Sequence, residues 1–292
     1  MIIGFIGLGH MGFPMAVQLL KHDFNVYAYD PIASTREQFQ TMGGHSTEDT
    51  ESIAKVADII ITMIPSEKHL FEIYNHAFVQ HLKKSSLCID CSTVGPIASG
   101  KWHSLLNDAQ IPHLDAPVSG GVAAATQGHL TFMVGGAEEL LKKATPILSA
   151  MGLNIIHTGE NGTGQAAKIC NNLILASNMI AASEAFKLAK AFGLPFEKLH
   201  QIASNSSGQS WVLDKYVPVP HLLENVPANK DYQPGFSCQM MLKDLNIVEQ
   251  AMQEYGLSLE LTHKSYEIYQ KIIEQNLGHK DFSFVYVFSE HN

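Results

Sequence analysis

The chain has 292 residues, 46% of them hydrophobic and 16% charged, with a formal net charge of -9 at pH 7. That length can bury a large core and has room for two domains, while the acidic balance without any lysine or arginine run argues against a nucleic-acid partner. No apolar stretch reaches the roughly 18 residues of a membrane span, so no membrane association is expected.

Met1 to Ile6 reads as a short buried strand, and Gly7, Gly9 and Gly12 follow it in the spacing G-x-G-x-x-G, opening a helical pattern from Met11 to Leu20. In a dinucleotide site the first glycine permits the sharp turn, the second lets a pyrophosphate approach the backbone, and the third lets helix and strand pack closely. The phosphates then face the free amide donors at the helix start. The predicted cofactor-binding loop is therefore Gly7, Leu8, Gly9, His10, Met11 and Gly12. A second strand, Asn25 to Tyr29, ends in Asp30, about 18 residues beyond Gly12, close to where such sites place an acid on the ribose diol. A carboxylate there repels a 2′-phosphate and the next residue is Pro31, so NAD is expected over NADP. Arg36, the one nearby cation, is expected on a solvated helix face.

Further strand-like runs follow at Asp58 to Ile64, Ser86 to Cys91, His113 to Pro117, Leu130 to Val134 and Asn154 to His157, with helical patterns between most of them. Strands alternating with helices predict an α/β, Rossmann-type doubly wound sheet. The four cysteines, Cys88, Cys91, Cys170 and Cys238, are too scattered for a disulfide framework, and Cys88 and Cys91 read as buried strand residues rather than as zinc or redox ligands. No histidine pair has the spacing of a metal site on a helix, and no metal is expected.

Beyond Gly164 the strand signal stops. Helices are predicted near Gln165 to Phe192, after Pro195, near Gln239 to Tyr255 and near Leu259 to Asn276, with a proline-rich loop at Val217 to Pro234. The expected organisation is a dinucleotide-binding domain over 1–163 and an all-helical substrate and oligomerisation domain over 164–292. In GTGQAAKICNN, Gly162 to Asn172, a lysine and an asparagine stand four residues apart and share a helix face. An amine and an amide so placed can hold one oxygen atom and exchange a proton with it.

Ligands of an open α/β sheet bind beyond the carboxyl ends of its strands. Ile64 with Pro65, Ser92 with Thr93, and Ser119, Gly120 and Gly121 fall at such ends, and the last three offer unobstructed backbone amides and a hydroxyl to a carboxylate.

Four segments together carry a family resemblance: GFIGLGHMGFPMA at Gly4 to Ala16, DAPVSGGVAAATQGHLTFMVGG at Asp115 to Gly136, GTGQAAKICNN, and MMLKDL at Met240 to Leu245. They resemble the signature regions of the β-hydroxyacid dehydrogenases, in the right order from residue 1 to about 288, and within that family the 3-hydroxyisobutyrate branch most closely, through Ala203 to Trp211, the YVPVP loop and KDFSFVY. The resemblance implies Lys168 as catalytic acid-base, Ser119 to Gly121 as the carboxylate-binding turn, and Asn172 as a substrate-orienting amide. It implies Lys243 as a cofactor contact, Thr93 on the nicotinamide side, and Ile64 and Pro65 on the adenosine side. Relatives carry an asparagine that contacts the nucleotide where this chain has His69.

The implied reaction is NAD-dependent oxidation of a 3-hydroxyacid, with homodimers or homotetramers as the expected assembly and a bacterial cytosol, or a mitochondrial matrix after removal of a leader, as the expected compartment. An ordinary lysine, with a pKa of about 10.4, must lose proton affinity to act as a base near neutrality, which burial or a nearby cation such as Lys243 would bring about. Trp211 and Phe236 are candidates for an apolar pocket wall suited to a 2-methyl group, with Asn225 or Asn229 as the polar groups that would reverse that preference. Sister activities on tartronate or succinic semialdehyde, and a non-catalytic dinucleotide sensor, are the alternatives.

Overall fold

A computed structural model of the chain describes residues 1–288. It divides into two compact units, Met1–Lys168 and Ile169–Asn292.

The first unit is built on nine strands: β1 (Ile2–Ile6), β2 (Asn25–Tyr29), β3 (His45–Ser46), β4 (Ile59–Thr62), β5 (Leu87–Asp90), β6 (His113–Asp115), β7 (Val118–Ser119), β8 (Leu130–Gly135) and β9 (Gly152–Gly159). Their order is β3-β2-β1-β4-β5-β6-β8-β7, with β9 on β8, and β3 through β6 are all parallel. The order reverses between β1 and β4, which is the topological switch point of a doubly wound sheet.

The strands read as nearly unbroken apolar runs because helices cover both faces. Alternate residues feed different cores. Ile3, Phe5, Ile59, Ile61, Leu87 and Ile89 pack with Met15, Leu19 and Phe39 on one face, while Ile6, Ile60 and Cys88 pack with Ile53, Leu70, Phe78 and Trp102 on the other.

The expected strands are present, several of them shorter than predicted, and two were not foreseen: β3 and β7 have two residues each, too few to show an alternating pattern. The far edge also departs from uniform parallel pairing, since β8 runs antiparallel to β6 and β7 and only β9 restores parallel pairing. Because β7 and β6 both oppose β8, they run the same way, and Ser119 emerges at the sheet's carboxyl edge.

The second unit is helical. It contains most of the helix Thr163–Ala191, then Phe196–Ser204, Trp211–Lys215, Cys238–Tyr255 and Glu260–Glu274, and ends in short turns at Phe282–Phe284 and Val285–Phe288. Its core includes Met179, Phe186, Val217, Met241, Leu245, Tyr269 and Phe282. The buried carboxylate of Asp281 fastens the proline-rich region to the C-terminal turns. One oxygen accepts the Tyr216 hydroxyl at 2.9 Å and the N–H groups of Gly235 and Phe236 at 3.0 and 3.1 Å; the other accepts the N–H and hydroxyl of Ser283 at 3.0 and 2.6 Å. Among the described residues no helix is long and apolar enough to cross a membrane.

Candidate active site

The glycine loop follows β1 at the switch point. Gly7 has φ +97°, and a Cβ there would stand 2.3 Å from the Met63 carbonyl oxygen, while one on Gly12 would stand 1.9 Å from the Gly7 carbonyl oxygen. A Cβ on Gly9 would meet no atom within 4 Å. The outer glycines are thus demanded by packing, whereas the middle one leaves the backbone open where a pyrophosphate approaches, as a dinucleotide requires. Met11 precedes the helix Gly12–Lys21, and His10 is exposed beside it.

Asp30 closes β2 with a buried carboxylate whose oxygens accept the Leu8 N–H at 2.8 Å and the Ile32 N–H at 2.9 Å. It therefore braces the glycine loop, and each oxygen keeps a lone pair for a further donor. The expectation of a solvated Arg36 is corrected: it is half-buried, and its Nη1 donates to the Asp30 carbonyl at 2.7 Å and the Pro31 carbonyl at 3.4 Å. The chain turns at Pro31 directly into the helix Ala33–Thr41, which brings that helix's first turn back over the end of β2.

The carboxyl ends of β4 and β5 are tied together by hydrogen bonds. Ile64 lies just past β4 and donates its N–H to Ser92 Oγ at 3.0 Å, Pro65 beside it is exposed, and Asp90 Oδ1 accepts the Thr62 hydroxyl at 2.8 Å and the Ser92 N–H at 3.2 Å. Burial raises the Asp90 carboxyl pKa above its ordinary value. Burial likewise pushes the Cys88 thiol up to about 12 and raises Cys91, so neither offers a thiolate near neutrality. Among the described residues no cluster of three or more His, Cys, Asp or Glu could hold a metal ion. His69 is exposed, its Nδ1 paired with the Ser66 hydroxyl at 2.8 Å. Thr93 is half-buried in the loop after β5.

Ser119 ends β7, and Gly120 and Gly121 turn the chain with φ +131° and +69° into the helix Gly121–Gln127. A Cβ on Gly121 would meet nothing within 4 Å, so the turn's backbone is uncluttered on that side.

Lys168 sits in the second turn of the helix Thr163–Ala191, 8% exposed, with Asn172 one turn on at 2%. The Asn172 amide donates to Asp244 Oδ2 at 2.5 Å and accepts from Asn171 Nδ2 at 3.1 Å, and Lys243 Nζ lies 3.1 Å from the other Asp244 oxygen. A buried carboxylate thus orients both the amide and the lysine of the second unit. Trp211 is exposed and stacks on Tyr216 at 5.1 Å, Tyr216 stacks on Phe282 at 5.3 Å, and Phe282 meets Phe236 edge-on at 5.8 Å, which joins both predicted wall residues in one aromatic series. Asn229 spends its amide within its own loop, accepting the His221 N–H and donating to the Leu223 and Glu224 carbonyls.

Three residues of this arrangement escaped the sequence reading: Asp115, Gln165 and Asp244. Asp115 is fully buried; Oδ1 accepts the Gly162 N–H at 2.7 Å and pairs with His103 Nε2 at 3.1 Å, while Oδ2 accepts the Gln165 N–H at 2.9 Å. It therefore caps the helix of Lys168 from a strand 47 residues earlier. A charged residue inside a quoted motif was the available signal for Asp115 and Asp244.

Comparison with known proteins agrees with this architecture. Residues 2–159 match the NAD binding domain of 6-phosphogluconate dehydrogenase, and residues 162–288 match the NAD-binding region of NADP-dependent 3-hydroxyisobutyrate dehydrogenase. The chain is 40% identical to an NAD-dependent L-serine dehydrogenase of Pseudomonas aeruginosa, over 97% of this chain and 96% of that one. It is also 40% identical to the mitochondrial 3-hydroxyisobutyrate dehydrogenase of Homo sapiens, over 98% and 86% of the respective chains. A solved structure of Mycobacterium tuberculosis 3-hydroxyisobutyrate dehydrogenase with L-serine superposes with a TM-score of 0.93 at 36% identity, covering 98% of each chain. The glycine loop, the buried lysine and asparagine on one helix and these matches together identify the chain as an NAD-dependent dehydrogenase that belongs to the β-hydroxyacid dehydrogenase family, close to the 3-hydroxyisobutyrate dehydrogenases.

Proposed function

We propose that this enzyme oxidises 3-hydroxyisobutyrate to methylmalonate semialdehyde, with NAD favoured over NADP. The observation that carries the reading is Lys168, buried one helical turn before Asn172 on a helix whose start is fastened to the sheet's carboxyl edge. NAD, when bound, supplies the hydride acceptor. Lys168 takes the proton of the substrate hydroxyl, Asn172 holds that oxygen, and the Ser119-Gly120-Gly121 turn receives the carboxylate, so that orientation supplies much of the acceleration. Lys243 is proposed to contact the cofactor, with Asp244 holding its ammonium in place.

A second reading is supported by the serine-linked relatives. L-serine shares the 3-hydroxypropionate backbone and carries an amino group in place of the 2-methyl, and its oxidation would use the same lysine. The apolar character of Trp211 and Phe236 speaks for the methyl compound, and the commitment of Asn229 to its own loop removes one polar group that would have favoured the alternatives.

A homo-oligomer is also part of the proposal. Ile174, Asn178, Ala181, Ala185, Leu188 and Phe192 recur at alternating spacings of four and three, the seam of a helix that pairs with another. Ile174, Leu188 and Phe192 are 58%, 54% and 75% exposed, an apolar stripe that a second copy would cover. Leu188→Glu combined with Phe192→Ser should leave a folded monomer by sedimentation and circular dichroism; a wild-type protein already monomeric at micromolar concentration would remove this part of the proposal.

Replacing Lys168 with alanine should lower kcat by about 10² to 10⁴ while leaving NAD affinity within about threefold, because an acid-base group is lost and the glycine loop is untouched. Turnover close to wild type would exclude Lys168 from proton transfer. Asp30→Ala should weaken NAD by at least about tenfold and narrow its advantage over NADP, since both the ribose acceptor and the brace on Leu8 disappear. A wild-type protein that turns over faster with NADP would mean that Arg36 or another cation overrides Asp30. Among substrates, 3-hydroxyisobutyrate should exceed 3-hydroxypropionate in kcat/KM by roughly 10- to 200-fold, the worth of one methyl in an apolar pocket, with L-serine and glycerate slower than 3-hydroxyisobutyrate. L-serine equal or better would establish the serine reading, and glycerate equal or better a tartronate-type activity.

A further inference from the structure

Gln165 lies three residues before Lys168, on the same side of the same helix, and is completely buried. Its carboxamide is threaded into the loop that follows β5. Oε1 accepts the N–H groups of Val94 at 3.1 Å and Gly95 at 3.0 Å, and Nε2 donates to the Ser92 carbonyl at 2.7 Å. Those three bonds enclose Thr93, and Ser92 also holds Ile64 through its hydroxyl. On the helix side the backbone is equally fixed. The Gln165 N–H is bound to Asp115, and a Cβ on Gly164 would stand 2.4 Å from the Met133 carbonyl oxygen and 2.8 Å from that of Asp115, so the first turn lies directly on the sheet.

We propose that Gln165 is a positioning residue of the dehydrogenase reaction: its carboxamide locks the loop bearing Thr93 to the helical turn bearing Lys168, and so sets the register between the proton acceptor and the nicotinamide-side loop. This rests on the assignment of Lys168 and Thr93 made above. The chemistry is specific to an amide, which presents an acceptor to two backbone donors and a donor to one backbone acceptor. Methionine fills similar space but leaves two N–H groups and a carbonyl without partners. Glutamate keeps the acceptor side and sets a carboxylate against the Ser92 carbonyl oxygen. Small errors of placement are expensive in such a site, because about 1 Å of misregister can cost on the order of 10²-fold in rate.

The test compares Gln165→Met and Gln165→Glu with wild type, using whichever hydroxyacid the wild-type enzyme oxidises fastest, so that a wrong substrate assignment leaves the comparison intact. In both variants kcat should fall by roughly 10- to 100-fold while substrate KM and NAD affinity stay within about threefold, and the deuterium isotope effect on kcat, with deuterium on the carbinol carbon, should rise as hydride transfer becomes limiting. A role confined to stability would reduce the active fraction and leave the isotope effect unchanged. Independently of turnover, amide hydrogen exchange at Val94 and Gly95 should accelerate at least about tenfold in Gln165→Met while the rest of the helix keeps its protection. Unaltered exchange at these two amides, or accelerated exchange with kcat within about threefold of wild type, overturns the proposal. Retained turnover in Lys168→Ala sinks the lysine assignment instead, and the exchange experiment still reports on the clamp.

Discussion

A helix that begins against a sheet must find partners for N–H groups that its own turns leave free, and in the interior the cost of failing is about 1 to 3 kcal/mol for each group. Here a carboxylate on a distant strand meets that demand. Asp115 receives Gly162 and Gln165, and the side chain of Gln165 in turn receives the loop beyond β5. Once these bonds are made, the helix start has one permitted position, and the lysine in its second turn inherits it. The carboxyl edge of β4 and β5, the loop carrying Thr93 and the turn carrying Lys168 are then parts of one hydrogen-bonded assembly rather than separate loops that happen to be near.

Rigidity of this kind suits a reaction with two coupled transfers. A hydride acceptor and a proton acceptor have to be correct at the same moment, and a site built on strand ends and a helix turn holds tighter tolerances than one built on free loops. The second unit applies the same device to different residues: Asp244 aligns Asn172 and Lys243, while Asp281 gathers Tyr216, Gly235, Phe236 and Ser283 about one carboxylate. In each case a buried acid, surrounded by donors, fixes groups from several segments.

Much of this was legible in the sequence because its causes are local. IIGFI followed by GLGHMG announces a strand, a turn and a helix within twelve residues, and the alternation of apolar runs with helical patterns announces the layered sheet. That Lys168 and Asn172 share one helix was legible because a single turn separates them. What stayed hidden depends on distance along the chain. The partners of Gln165 lie 70 to 73 residues away, and nothing near Gln165 distinguishes a clamp from an ordinary helix-surface amide. Arg36 misled for a related reason: helical periodicity put it outward, but the turn at Pro31 folds the chain back so that two carbonyls capture it. The antiparallel pairing of β7 and β8 was hidden because a two-residue strand has no period.

The distribution of the four cysteines has a practical consequence. Cys88, Cys91 and Cys238 are buried with their thiols held protonated, whereas Cys170 is exposed, two residues from both Lys168 and Asn172. A maleimide or an iodoacetamide added to the folded chain therefore meets a single exposed thiol, on the helix Thr163–Ala191 that also carries Lys168. A fluorophore or spin label can be installed there without mutagenesis, giving a spectroscopic reporter within one helical turn of Lys168 and Asn172 while the three core thiols keep their packing.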